Sequence, residues 1–123
     1  MIIGIGADVV AVRRFEQWLN RAGFLERFFH PDELAYARSC GKGFCESIAA
    51  RFAAKEAFGK ALGIGLVGIC LKDIAVISRY GDRPALALFG SALRKAEQNN
   101  VRFIHLSLSH EKEYALAMVV LEG

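Results

Sequence analysis

The sequence predicts an α+β fold, and three observations carry that prediction. Helical signals crowd the first half of the chain, including one Ala-rich stretch without proline. Segments of strand character fill most of the second half. The last two of these are separated only by His110-Glu111-Lys112, which is enough for a hairpin and too short for a parallel crossover. The whole length of 123 residues fits one domain, 1–123, since domains commonly run ~100–150 residues.

Residues 2–6 (IIGIG) are apolar and partly β-branched, and read as a short buried strand. Residues 12–21 follow with helical spacing, placing Val12, Phe15, Trp18 and Leu19 on one face, and Gly23 is the expected stop. A second helix should open at His30-Pro31-Asp32-Glu33. Proline suits the first turn, and acidic residues there complement the helix dipole. That helix should end near Gly41 or Gly43. The longest helix is expected from Phe44 to Leu62, stopped by Gly63 and Gly65. Strands are expected at 72–78 and 84–89 around a turn at Tyr80-Gly81-Asp82-Arg83, then a helix at 90–99 and strands at 102–109 and 113–121.

Composition excludes several classes. Hydrophobic residues make up 54% and charged residues 24%, which is incompatible with intrinsic disorder. No apolar run approaches the ~18 residues of a membrane span, so no membrane partner is expected. The start, MIIGIGADVV, lacks a basic region and a small-residue cleavage site, so a cytoplasmic location is the expectation. Cys40, Cys45 and Cys70 are odd in number and not spaced as CxxC. They should be reduced thiols packed as small hydrophobes. The net charge of +3 (16 basic, 13 acidic) is spread without a basic block. That suits an acidic protein partner better than nucleic acid, although a small basic α+β nucleic-acid-binding module is the alternative class.

Four constellations could carry chemistry. In GIGADV, Asp8 follows a glycine-containing strand, where a carboxylate suits a hard metal ion or caps the helix that follows. It is no dinucleotide fingerprint, because Val9 stands where the third glycine belongs. In FAAKEAFGK, Phe52, Glu56 and Lys60 share one helical face, with Arg51 and Lys55 on a neighbouring stripe. Glu56 and Lys60 could form a simple surface pair, but charges on so apolar a helix point to a cleft or an interface. In HLSLSHE, His105, Ser107 and Ser109 share a strand face and His110 falls at the turn. The group is either solvated or, together, an anion site. No nucleophile elbow supports a serine hydrolase. Arg14 and Arg21, seven apart, share a helical face that is either solvated or a docking surface for an acidic helix.

Taken in order, GIGAD, FFHPDELAYA, RFAAKEAFGKALGIG and HLSLSHEKEYALAMVV resemble the small holo-[acyl-carrier-protein] synthase family of 4′-phosphopantetheinyl transferases across nearly the whole chain. The resemblance implies a single domain in which one long central helix packs on a small, mostly antiparallel sheet. It also implies transfer of 4′-phosphopantetheine from coenzyme A to a serine of apo acyl carrier protein in fatty-acid biosynthesis. The reaction would depend on Mg²⁺ and release adenosine 3′,5′-bisphosphate. It further implies a homotrimer with sites between protomers. Asp8 and Glu56 would hold the metal, and Lys60 would lie by the pyrophosphate. Lys42, Arg51 and His110 would lie near the 3′-phosphate, Gly63 and Gly65 would let backbone approach the pyrophosphate, and Arg14 and Arg21 would meet the carrier protein. Two positions depart from the family pattern. Ile64 stands between Gly63 and Gly65 where threonine is usual, and Gly81-Asp82-Arg83-Pro84 replaces the usual Asn-Gly-Lys-Pro.

Overall fold

The computed structural model describes residues 1–78 and 83–123. Strand β1 (Ile2–Ala11) leads into a short helix α1 (Arg13–Trp18), and α2 (Pro31–Ser39) and α3 (Phe44–Leu62) follow. Then come β2 (Ile74–Ile77), β3 (Ala85–Leu88), α4 (Gly90–Gln98), β4 (Phe103–His110) and β5 (Tyr114–Glu122). The strands form an antiparallel three-stranded sheet of order β1-β5-β4 and an antiparallel pair β2-β3. The α+β expectation holds, and α3 is the long central helix.

Helix α3 begins and ends where the sequence indicates. Gly63, at φ 80°, caps it in the left-handed conformation that a side chain resists. Twelve of its 19 residues are buried, as befits a helix with apolar and small residues all around. Small side chains let the sheet come close. A Cβ on Gly4 or Gly6 of β1 would run into the carbonyl oxygen of Ala61 or Ala57. Ala115, Ala117, Val119 and Leu121 of β5 lie fully buried on the same inner side. Phe15, Phe29, Ile48, Phe58 and Ile74, none of them exposed, complete the core.

Helix α2 opens as its sequence suggests. The His30 ring accepts from the Asp32 amide and the Glu33 carboxylate accepts from the His30 amide, a reciprocal capping box with Pro31 in the first turn. It stops at Ser39, short of the expected glycines, and Gly41–Gly43 form a separate 3-10 turn.

Other expectations need correcting. Strand β1 runs to Ala11, beyond the expected 2–6, because inward Gly6, Asp8 and Val10 alternate with outward Ile5, Ala7 and Val9. Helix α1 ends at Trp18, not at residue 21, and Leu19 is exposed. Leu71–Asp73 form a 3-10 turn, so β2 starts later than expected, and His110 closes β4 instead of sitting in the turn. The cysteines are free, but Cys40 and Cys70 are exposed and only Cys45 packs partly against the core. The turn expected at Tyr80–Arg83 lies, apart from Arg83, outside the described residues.

Candidate functional site

Asp8 lies on the inner side of β1, opposite Ala117 of β5. Being two and four residues beyond Gly6 and Gly4, it inherits their close approach to α3 and arrives beside Glu56 and Lys60. It is therefore a strand residue and not a helix cap. The N-cap of α1 is Val12, which has no side-chain capping bond. The Lys60 ammonium donates to Asp8 Oδ1 at 2.8 Å and to the Ala7 carbonyl at 3.2 Å. The Asp8 side chain is 15% exposed and that of Lys60 52%. A depression of about 390 Å³, lined by Ala7, Asp8, Val9, Lys60 and Leu116, opens at this point.

The electrostatics of the trio are asymmetric. Partial burial, and then the nearby Asp8 carboxylate, raise the pKa of Glu56, while Lys60 and Arg14 act against them. The hydrogen bond to Asp8, followed by its charge, raises the pKa of Lys60. Two acids share one ammonium, so the cluster has room for more positive charge. A hard divalent cation with few protein carboxylates fits this donor set. Among the described residues no group of three or more His, Cys, Asp or Glu side chains gathers for a metal, so Asp8 and Glu56 are a two-carboxylate set.

The raised pKa has a testable consequence. Folded protein holds the Glu56 proton more tightly than unfolded protein does. Its contribution to stability therefore falls as pH rises from the ordinary value of 4.5 through the raised one. Carbon-13 NMR titration of metal-free protein should place Glu56 above the ordinary carboxylate value, and Asp8→Asn should bring it down. A Glu56 pKa that ignores Asp8→Asn would show that the two carboxylates do not interact.

The remaining candidates are distributed around this centre. Arg14 lies with its guanidinium 5.8 Å from the Trp18 ring centroid and 5.7 Å from that of Phe52, one helical turn before Glu56. Arg21, past the end of α1, lies over Phe24 at 5.3 Å, so the two arginines do not share a helical face. Gly63 and Gly65, at φ 80° and 62°, fold the chain back after α3, and the Gly65 amide donates to the Gly59 carbonyl at 3.0 Å. Gly59 must lack a side chain, because a Cβ there would run into the Gly65 carbonyl. Ile64, between these glycines, is 37% exposed.

Lys42 is exposed in the 3-10 turn before α3. Arg51, by contrast, is buried. It donates to Ser47 Oγ at 2.7 Å and to Ser78 Oγ at 3.2 Å, sits 4.5 Å from the Tyr36 ring centroid, and leaves its Nε without a partner. Burial lowers its pKa, and Glu33 opposes the shift. His110 is on the edge strand β4, separated from Asp8 by β5. Strand alternation places it on the opposite face from His105, Ser107 and Ser109, so these groups do not form one anion site. His105 instead bonds Glu122 at 2.8 Å.

A model of the 4′-phosphopantetheinyl transferase superfamily matches residues 4–119. The holo-[acyl-carrier-protein] synthase of Treponema denticola is 55% identical over the full length of both chains. The chain belongs to the holo-[acyl-carrier-protein] synthase family of phosphopantetheinyl transferases. A solved family structure from Neisseria meningitidis covers 100% of both chains at TM-score 0.87 and 35% identity. Another, from Bacillus anthracis in complex with CoA (3′,5′-ADP), matches at TM-score 0.81 and 36% identity, over 98% of this chain and 96% of that one.

Two features of this family member escape sequence reasoning. One is the aromatic cluster of Phe15, Trp18, Phe24, Phe28 and Phe52 beneath Arg14 and Arg21, whose ring centroids lie 4.6–6.3 Å apart. The other is the fully buried pair of Lys55 and Glu33, 2.7 Å apart. Burial lowers the Lys55 pKa, and the Glu33 carboxylate pulls against it. The signal for Lys55 was its place in an Ala-rich helix; nothing in the sequence joined it to an acid 22 residues earlier.

Proposed function

We propose that this chain transfers the 4′-phosphopantetheine group of coenzyme A to a serine of apo acyl carrier protein, releasing adenosine 3′,5′-bisphosphate, in fatty-acid biosynthesis. The observation that carries the reading is that Asp8 of β1 and Lys60 of α3 meet at one depression, with Glu56, one helical turn before Lys60, near enough to feel the Asp8 charge. The family relatives are named for this synthase activity, and one of their structures was solved with CoA (3′,5′-ADP). We further propose that residues 1–123 act as one domain in the cytoplasm, where coenzyme A and the carrier protein would both be available.

Phosphoryl transfer from a diphosphate asks the protein mainly to neutralise charge and align groups. Asp8 and Glu56 would hold Mg²⁺, which when bound supplies positive charge at the phosphoryl oxygens. Lys60, half exposed beside Asp8, would turn its one remaining N–H toward the pyrophosphate. Gly63 and Gly65, which carry no Cβ, would let that diphosphate come close to the backbone of the turn, whose own amides at Gly63, Ile64 and Gly65 already donate to the Lys60 and Gly59 carbonyls. Arg51 and Lys42 would bind the 3′-phosphate, with Arg51 the prepositioned member because Ser47, Ser78 and Tyr36 fix its guanidinium.

A homotrimer suits the outer face of the sheet. Ile5, Val9, Phe103, Leu116 and Met118 are 64%, 59%, 59%, 43% and 42% exposed there, an apolar area that favours burial against other copies. His110, two strands away from Asp8, would then serve a coenzyme bound at a neighbouring protomer's Asp8.

The test is direct. Incubation with coenzyme A, Mg²⁺ and apo carrier protein should give a phosphopantetheine adduct by mass spectrometry, and an unmodified carrier would refute the assignment. Arg14 and Arg21 would meet the acidic carrier from above the aromatic cluster. Arg14→Glu should raise the KM for carrier protein roughly tenfold at low ionic strength and leave the KM for coenzyme A within about twofold. An unchanged carrier KM would remove α1 from the docking surface.

A further inference from the structure

Metal binding leaves unexplained the most deeply buried charges among the described residues. Glu33 and Lys55 have fully buried side chains. The ammonium has three N–H groups and three acceptors: Glu33 Oε1 at 2.7 Å, the Leu71 carbonyl at 2.9 Å and the Ile74 carbonyl. The carboxylate also accepts from the amides of His30 and Val76, each at 3.0 Å. One ion pair thus ties together the start of α2, the middle of α3 and the entry to β2. Arg51, one turn earlier on the same stripe of α3, reaches Ser78 just beyond the far end of β2. The two cations pin α3 along the length of that strand.

A buried ion pair is a weak source of stability, because desolvation offsets most of the attraction; its best-attested value is in fixing one arrangement among several. Lys55 immediately precedes Glu56, about 100° away around the helix. The opposite constraint on α3 comes from β1, where Gly4 and Gly6 press against Ala61 and Ala57. That glycine contact sets how close the strand approaches, through backbone and small alanine side chains that carry no directional bond. The Lys55 ammonium supplies directional bonds on the other side, to Glu33 and to the Leu71 and Ile74 carbonyls.

We propose that Glu33 and Lys55 are a positioning pair that fixes the rotation of α3 and so keeps Glu56 opposite Asp8. The proposal rests on Asp8 and Glu56 holding the metal. Neither Glu33 nor Lys55 touches the substrate or the metal in this account.

The test is the double variant Glu33→Gln/Lys55→Met, which removes both charges at similar volume, assayed well below its melting temperature. Mn²⁺ binding in the presence of coenzyme A is followed by loss of the free-ion EPR signal, alongside steady-state transfer. The expected result is at least a tenfold weaker Mn²⁺ half-saturation and at least a tenfold lower kcat, with the carrier KM within twofold. Leu34→Ala, a core truncation on α2 that leaves both charges in place, should lower the melting temperature and leave Mn²⁺ binding as in the wild type. If the double variant does not fold, Glu33→Gln alone should shift both quantities the same way by at least threefold. Wild-type Mn²⁺ binding and kcat in a folded charge-free variant would overturn the proposal, as would an equal loss in Leu34→Ala. Wild-type protein that binds Mn²⁺ through Asp8 and Glu56 but modifies no carrier would refute the transferase reading and leave the positioning role standing.

Discussion

Asp8→Ala and Glu56→Ala are each expected to lower phosphopantetheine transfer by at least ~10²-fold while the protein stays folded, a size comparable with removing one preorganised electrostatic group from an active site. The separation of effects follows from the surroundings of the two acids. Losing Asp8 breaks its contact with Lys60, but that ammonium is half exposed, and such a pair contributes ~0–1 kcal/mol at most. Losing Glu56 removes a partly buried carboxylate whose pKa is raised first by that burial and then by repulsion from Asp8. Metal-free stability should therefore barely change in either variant. Thermal melts with and without Mg²⁺, run beside the transfer assay, separate the two quantities. Substantial activity in either variant would take that residue out of the metal site.

The second large effect comes from a residue with no functional group. A Cβ on Gly6 would overlap the Ala57 carbonyl oxygen and lie 2.6 Å from the Ala61 amide nitrogen, and both of those atoms belong to the helix backbone. No side chain can move aside, so Gly6→Ala must push β1 away from α3. Overpacking of this kind costs ~1–3 kcal/mol or more. Because Asp8 is two residues further along the same inner face, the displacement also separates the two carboxylates. Urea denaturation should show the lower stability, and transfer should fall more steeply than the loss of folded protein explains. Wild-type stability in Gly6→Ala would mean that the contact between strand and helix is looser than described.

Much of this arrangement is legible in the chain. Helix α3 carries its own limits, alanine-rich between Phe44 and Leu62 with Gly63 behind it, so the spacing that aligns Glu56 with Lys60 is local information. The opening of α2 at His30-Pro31 is equally local. Asp8 is harder to read. A carboxylate among apolar residues looks like the end of a strand, and only the pairing with β5 keeps it extended and turns it inward. Arg21 illustrates the reverse error. Seven-residue spacing suggests one helical face, yet α1 breaks at Trp18, where the aromatic rings of Phe15, Phe24 and Phe52 gather around the indole. Closeness in sequence groups His110 with Ser107 and Ser109, but β4 runs through it and alternation sets it on the other side. The Glu33–Lys55 pair is a contact between distant segments, and only the fold brings its members together.

The proposed chemistry requires two carboxylates, one from a strand and one from a helix, to close on a single divalent ion. Crystals grown with coenzyme A and Mn²⁺ and measured at the manganese absorption edge test this most directly. The anomalous peak is predicted between the Asp8 and Glu56 carboxylates, within coordination distance of an oxygen from each. A peak coordinated by neither carboxylate, or by only one of them, would contradict it.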